Sequence, residues 1–229
     1  MASKAQCALC FDVLAAEFED RDPHSLGDFE RALARTCDSP SESIDTSSES
    51  DGSVSMTRNY ASPIAQSEKY PLFVTWNTVT SHGSHRLRGC IGTFQAQPLE
   101  HGLKSYASTA AFYDSRFPPI TAPELPSLEC GVSLLTNFED AADALDWEWG
   151  VHGIRISFSV SGHRYSATYL PDVAPEHFKT KQETIESLVL KAGYRGRTDW
   201  SKLEISLVRY QSSKEYLKYP EYLKIMANV

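Results

Sequence analysis

Tyr70-Pro-Leu-Phe-Val-Thr-Trp-Asn-Thr-Val79 and, after a polar turn, Leu87-Arg-Gly-Cys-Ile-Gly-Thr-Phe94 form the stretch on which the fold turns. In the first run Leu72, Val74 and Trp76 fall on one side and Phe73 and Thr75 on the other, the period-two pattern of a strand with one buried face. The turn, Ser81 to His85, is rich in Ser, His and Gly, and two such runs across a short Gly-bearing loop read as a β-hairpin. Alternation in the second run sets Leu87, Gly89, Ile91 and Thr93 against Arg88, Cys90, Gly92 and Phe94. Two glycines inside a strand weaken it and mark a bulge, or a close approach by a ligand or another backbone.

Upstream, Cys7, Cys10, Phe11, Leu14 and Phe18 recur at three- and four-residue spacing, the apolar stripe of a helix. The Cys7-x-x-Cys10 pair lies on that stripe and no second pair follows, so it reads as two core thiols rather than a metal knuckle or redox motif. Downstream, Leu99, Leu103, Tyr106, Ala107 and Ala110 form a second helical stripe, which stops before Pro118-Pro119. Thr121 and Glu124 make a capping box for a short helix, and Glu129 to Leu135 reads as a strand.

The second half repeats the theme. Ile154, Ile156, Phe158 and Val160 alternate with Arg155, Ser157 and Ser159, Ser161-Gly162 is a two-residue turn signal, and Tyr165, Ala167 and Tyr169 line a returning strand. A helix is expected over about Gln182 to Ala192, closed by Gly193, then a strand over Leu203 to Tyr210. The aromatic tail with Tyr216, Tyr219, Tyr222 and Leu223 reads as a helix folding back. Strands mixed with helices, joined by hairpins and without regular βαβ alternation, predict an α+β fold: a mixed, mainly antiparallel sheet with flanking helices.

Composition narrows the class. The 229 residues include 41% hydrophobic side chains, enough for a core, and no apolar run near the ~20 residues that span a bilayer, so no membrane protein is expected. The N-terminus lacks the basic, apolar and small-residue pattern of a secretory signal. Five cysteines, an odd and uneven set in a chain that reads as intracellular, do not suggest a disulfide framework. The net charge of −8 is uneven, because residues 20–58 hold nine acids and four bases, and eight of the seventeen residues from Ser39 to Ser55 are serine. Thr36 to Met56 is therefore expected to be disordered, after a short helix over Leu26 to Arg35. It reads either as a passive linker or as a phosphorylation segment, since Ser39, Thr46 and Ser48 each have an acid three residues on. The expected organisation is a helix at 1–19 belonging to the domain, an acidic insertion at 20–58, a domain in two subdomains at 59–213, and a tail at 214–229.

Three segments carry candidate chemistry. Arg88, two residues before Cys90, would set a cation on the thiol's face and favour the thiolate. The alternative is that Gly89 and Gly92 make room for a crossing helix, with Cys90 a small core filler. Asp114 and Arg116 end a helical stripe and either line a site or pair to close a turn. His152 is a candidate general base or a hydrogen-bonded structural residue. Cys90, His152 and Asp114 together would be the minimal set for thiol nucleophilic catalysis. No metal site is expected, because His82 and His85 have no further ligand at metal spacing. No Gly-rich phosphate loop is present either.

The octapeptide 87–94 resembles the signature of the AMMECR family. The similarity runs on through Ala111-Phe-Tyr-Asp-Ser-Arg-Phe-Pro-Pro119, Val132-Ser-Leu-Leu-Thr-Asn-Phe-Glu139, Trp147-Glu-Trp-Gly-Val-His-Gly-Ile154, Ala167-Thr-Tyr-Leu-Pro171 and Thr184-Ile-Glu-Ser-Leu188. It also includes Cys10-Phe-Asp-Val-Leu14 and Tyr70 to Trp76, and covers about 5–19 and 60–212. The chain departs from the pattern in its long acidic insertion and in Phe178, where the family tends to have tryptophan. The resemblance implies an α+β domain in two subdomains around a cleft, with the Arg-Gly-Cys-Ile-Gly strand near it. The family is without an established reaction. It is connected with nucleic-acid processing, and in archaea and bacteria it is found with Memo-type and radical-SAM proteins, which implies a modification pathway. Animal members are linked to the nucleus, so the resemblance implies a nuclear or cytoplasmic location for this chain.

Two function classes follow. In the first, the Cys90 surface is a binding module for a protein, nucleotide or nucleic-acid ligand, with Arg88, Gly89, Gly92 and Arg116 at the ligand and Arg155 adding charge. In the second, the protein is a thiol-dependent enzyme using Cys90 with His152 and Asp114. Neither requires a cofactor, and a monomer or weak homodimer is expected.

Overall fold

The computed structural model describes residues 1–37, 68–80, 82–196 and 199–229. Most of the serine-rich segment, and with it the expected disorder and phosphorylation, lies outside the described residues. The chain forms two units: Ser3–Val132 with Glu215–Val229 (the first), and Ser133–Lys214 with Met1–Ala2 (the second). The fold is α+β with six strands, and hydrogen-bonded neighbours follow the order β2-β1-β3-β6-β4-β5. The strands are β1 (Lys69–Val79), β2 (His85–Pro98), β3 (Leu128–Asp140), β4 (Gly153–Val160), β5 (His163–Tyr169) and β6 (Ser206–Lys218).

In the first unit β1 and β2 form the expected antiparallel hairpin, Val79 opposite His85 and Lys69 opposite Pro98. Leu72, Val74 and Trp76 are fully buried, so the alternation read from the sequence is the inside and outside of the sheet. The core is completed by α1 (Lys4–Glu19), α2 (Leu26–Cys37), α3 (Leu99–Phe112) and a late helix, α6 (Tyr219–Met226). Trp76 donates its indole N–H to the Ala107 carbonyl (3.1 Å), and the Phe11 ring meets it edge-on with centroids 5.1 Å apart. Burying side chains of this size contributes about 1.5–3 kcal/mol each.

Helix α1 is buried round much of its circumference, not along one stripe, because α2, α3 and α6 all pack on it. Its small residues, Ala5, Ala8, Ala15 and Ala16, permit that approach. Its one buried acid, Asp12, has no exposure and needs partners. It accepts hydrogen bonds from Arg21 (2.6 Å), the His24 amide (2.7 Å) and the Tyr222 hydroxyl (3.0 Å), and its second oxygen lies 3.0 Å from His24 Nδ1. This carboxylate therefore joins α1, the loop after it, and α6.

In the second unit β4 and β5 are joined by Ser161-Gly162, both at positive φ (51° and 78°), the two-residue turn that matches strand twist. The helix α4 (Val173–His177) precedes α5 (Lys181–Lys191). Thr180 caps α5 by accepting the Glu183 amide (3.1 Å), and Gly193 ends it at φ 95°. Ile154, Ile156, Phe158, Ile185, Leu188 and Leu207 fill this core.

Three local expectations need correction. The helix α2 extends through Cys37, so Thr36 and Cys37, assigned to the disordered insertion, are helical. β6 begins at Ser206 and runs to Lys218, which places Tyr216 in a strand and starts the tail helix at Tyr219. Residues 211–218 lack an apolar alternation, and pairing beside β3 makes them a strand. The helix α4 and the 3-10 turn Trp200–Lys202 were not anticipated, being too short to show a period.

Candidate functional site

β2 is an edge strand, so the outward N–H and C=O groups of its residues need partners of their own. At Cys90 both are supplied by the turn that follows α3. The Cys90 amide donates to Asp114 Oδ2 (2.9 Å), and its carbonyl accepts from the Arg116 guanidinium (2.9 Å). Arg116 in turn donates to both Asp114 oxygens, from Nε (2.9 Å) and from its terminal nitrogen (2.6 Å), with its backbone N–H at 3.2 Å. The Arg116 hydrogen bond, aided by the Cys90 and Arg116 amides and opposed by burial, holds the Asp114 carboxyl well below the usual carboxylate range. Asp114 raises the Arg116 guanidinium in return. Asp114 and Arg116 thus act as a short false strand that closes the edge of the sheet at Cys90.

Arg88 is redirected by a bulge. Trp76 pairs with Gly89 but Asn77 pairs with Leu87, leaving Arg88 unmatched. A bulge re-aims a side chain, and here it overturns the expectation that Arg88 shares the thiol's face. Its guanidinium donates to Glu124 (2.7 and 3.2 Å) and to the carbonyls of Pro118 (2.8 Å) and Pro119 (3.2 Å). Glu124 is held below its ordinary range chiefly by Arg88, while it also accepts the Thr121 amide and hydroxyl in the expected capping box.

The two signature glycines serve close packing. A Cβ on Gly89 would lie 2.1 Å from the Ala110 carbonyl oxygen on α3, and one on Gly92 would lie 2.3 Å from both the Leu72 oxygen and the Phe73 ring. Gly89→Ala should therefore cost about 3 kcal/mol, the upper end for overpacking a site where backbone must move. Urea denaturation checks this, and a loss below about 0.5 kcal/mol would show that α3 yields freely.

Cys90 is half-buried on the face of the sheet opposite the core, and Thr75, its register partner, donates its hydroxyl to the thiol sulfur at 3.2 Å. Beside Thr75, Gly131 leaves room for the Tyr216 ring, which a Cβ there would approach to 2.8 Å. Burial first, then the nearby Glu129, Cys7 and Cys90, push the Tyr216 phenol up. Farther along, the buried Glu129 carboxylate lies 2.8 Å from Nδ1 of the half-exposed His85. Sequence reasoning missed Thr75, Tyr216 and Glu129, and weighed His85 only as a metal ligand. They come from separate strands and no spacing connects them, although Gly131 within a strand pattern was an available cue.

The structure brings Arg88, Gly89, Cys90, Gly92, Asp114 and Arg116 together in the first unit. His152 lies in the second. There its Nδ1 accepts the Glu148 amide (2.9 Å) and its own amide donates to the Glu148 carbonyl (3.0 Å), closing a turn. Cys7, Cys10 and Cys130 are buried, and burial, with Cys10 and Cys7 beside it, pushes the Cys130 thiol up. Among the described residues no three His, Cys, Asp or Glu side chains are placed to hold a metal ion, and no helix is long and apolar enough to cross a membrane.

The family model described as AMMECR1 matches residues 7–215. An uncharacterized protein of Arabidopsis thaliana is 52% identical over 164 residues, covering 70% of this chain and 77% of the relative. One from Schizosaccharomyces pombe is 48% identical over 153 residues, covering 67% and 78%. The crystal structure of an uncharacterized protein from Pyrococcus horikoshii is similar with a TM-score of 0.56 and 26% identity, over 70% of this chain and 79% of that one.

Proposed function

The chain belongs to the AMMECR1 family, and from that premise we propose that it is a binding module whose contact surface is the sheet face carrying Cys90. The observation that supports this reading is the way Cys90 is held: its backbone is tied on both sides by Asp114 and Arg116, while the residue is half-buried, its thiol accepts from Thr75, and the exposed Tyr216 lies near it. A surface fixed in advance loses little entropy on binding. The ligand contacts are the thiol, the Thr75 hydroxyl and the Tyr216 phenol and ring. Arg88 and Arg116 are engaged by carboxylates and carbonyls, so a protein segment suits this face better than a nucleic acid, whose affinity rests on free Lys and Arg.

The test uses the folded chain carrying Cys37→Ser, since the Cys37 side chain lies outside the described residues. A maleimide reagent should modify Cys90 rapidly and leave Cys7, Cys10 and Cys130 untouched until denaturant is added. Equal rates at all four thiols would remove the basis of the reading. Steeply salt-dependent binding of a single-stranded RNA oligonucleotide would replace it with a phosphate-binding one.

A thiol-dependent reaction is the second reading, favoured by the same half-buried cysteine, the one free cysteine among those described that is not fully buried. It needs a base other than Asp114, whose oxygens are occupied. Alkylation of Cys90 by iodoacetamide at least ~10-fold faster than that of a cysteine peptide would favour it.

A further inference from the structure

In the second unit β4, β5 and β6 give one face to the core, where Ile154, Ile156, Phe158 and Leu207 are buried. Strand alternation turns Ser157, Ser159, Arg164 and Ser206 to the other face. The register sets them side by side, Ser157 opposite Ser206 on β6 and Ser159 opposite Arg164 on β5. The antiparallel register, continued two residues before Ser206, brings Glu204 level with Ser159 on the side away from Arg164. These five residues and Phe158 line a groove of about 320 Å³.

The opposite charges of this groove do not meet. Arg164 and Glu204 both line it, yet neither has an ion pair or a side-chain hydrogen bond among the described residues. Elsewhere in the unit such charges do close, Arg209 on Glu139 and Asp146, and Lys214 on Asp172. Two strand spacings, about 10 Å, separate the backbones on either side of Ser159. The hydroxyls between them are open too. Ser166 and Thr168, on the same face, donate to the Ile156 and Ile154 carbonyls (2.9 Å each). The Ser157, Ser159 and Ser206 side chains have no hydrogen bond among the described residues.

A guanidinium on one wall takes a carboxylate, and a carboxylate on the other takes an ammonium, both through charge-assisted hydrogen bonds. A ligand of a single sign gains one of these contacts and meets repulsion at the other. A dipolar ligand with its two charged groups on one carbon satisfies both. The one apolar residue of the lining, Phe158, is buried, so what remains for the ligand's side chain is the row of serine hydroxyls. The volume stands at the small end of ligand pockets, which run from roughly 300 to 1,000 Å³.

We propose that this groove binds a free α-amino acid with a small polar side chain, its carboxylate on Arg164, its ammonium on Glu204 and its side chain among the hydroxyls of Ser157, Ser159 and Ser206. The site is independent of the Cys90 face and stands or falls separately from it.

The test follows backbone amide chemical shifts of the full-length chain by NMR as L-serine is added. The Ser157, Ser159, Arg164 and Ser206 amides should move saturably, with a Kd of about 1 mM, as suits an open groove. N-acetyl-L-serine lacks the ammonium and L-serinamide lacks the carboxylate, so each should bind at least about tenfold more weakly. Arg164→Gln and Glu204→Gln should each weaken L-serine at least about tenfold. Both side chains are exposed, and circular dichroism confirms that the variants fold. No saturable shift at these amides up to about 10 mM L-serine, equal affinity for either analogue, or indifference to either substitution in the folded variant would each overturn the proposal.

Discussion

Replacing Asp12 by alanine is expected to lower the unfolding free energy by about 4 kcal/mol, the cost of removing one member of a buried charge network. The side chain is wholly buried, and its removal leaves Arg21, the His24 amide and the Tyr222 hydroxyl without their shared acceptor. Asp12→Asn should recover part of the loss, because an amide oxygen still accepts but its NH2 faces donors. Burial raises this carboxyl while the Arg21 and His24 hydrogen bonds lower it further, so the net shift is downward. A lowered folded-state value means that the stabilisation is fully present above the unfolded carboxylate value near 3.9, and is lost as pH falls through the folded value. Denaturant midpoints measured from pH 7 down to pH 2 should fall for the wild type and change less for Asp12→Asn. A parallel decline in both would show that Asp12 is not the group responsible.

Asp114→Ala is expected to cost about 2 kcal/mol, less than Asp12→Ala because Asp114 is covered but lies close to the surface, where water screens its pairing with the half-exposed Arg116. The more telling effect is local. The Cys90 amide loses its acceptor and Arg116 loses the carboxylate that aims it at the Cys90 carbonyl. Amide hydrogen exchange at Cys90 should accelerate by a larger factor than global destabilisation explains, and maleimide labelling of the thiol should change with it. The Asp114 carboxyl is also lowered, so its contribution too is present above about pH 4 and fades as acid protonates it. If exchange at Cys90 follows only the global unfolding free energy, Asp114 is not the lock on that strand.

Much of the fold was legible because its signals are local. The period of two in Tyr70 to Val79, the three-and-four spacing around Leu99 and Leu103, Ser161-Gly162 as a hairpin turn and Gly193 as a helix stop each depend on residues a few positions apart. The candidate site was legible in its membership and not in its roles. Cys90, Asp114 and Arg116 were singled out and do meet. Yet Asp114 and Arg116 meet the Cys90 backbone, which side-chain chemistry alone would not suggest. Arg88 was assigned to the thiol's face by strict alternation, and one unmatched residue in the β1–β2 register sends it to Glu124 instead. Gly89 and Gly92 were read as either ligand space or packing space, and the positions of Ala110, Leu72 and Phe73 give them to packing.

By itself, then, the sequence determined the α+β class, most elements and which segments carry polar groups, because burial and turn chemistry are written in nearest neighbours. The tertiary structure alone decided which backbone groups would stand unpaired at the edge of β2, and so what Asp114, Arg116 and Arg88 are for. It also decided that Thr75, Tyr216, Glu129 and His85 would share a face with Cys90. Those outcomes depend on strand register and on the approach of α3, quantities set by how distant segments close on one another rather than by any spacing along the chain.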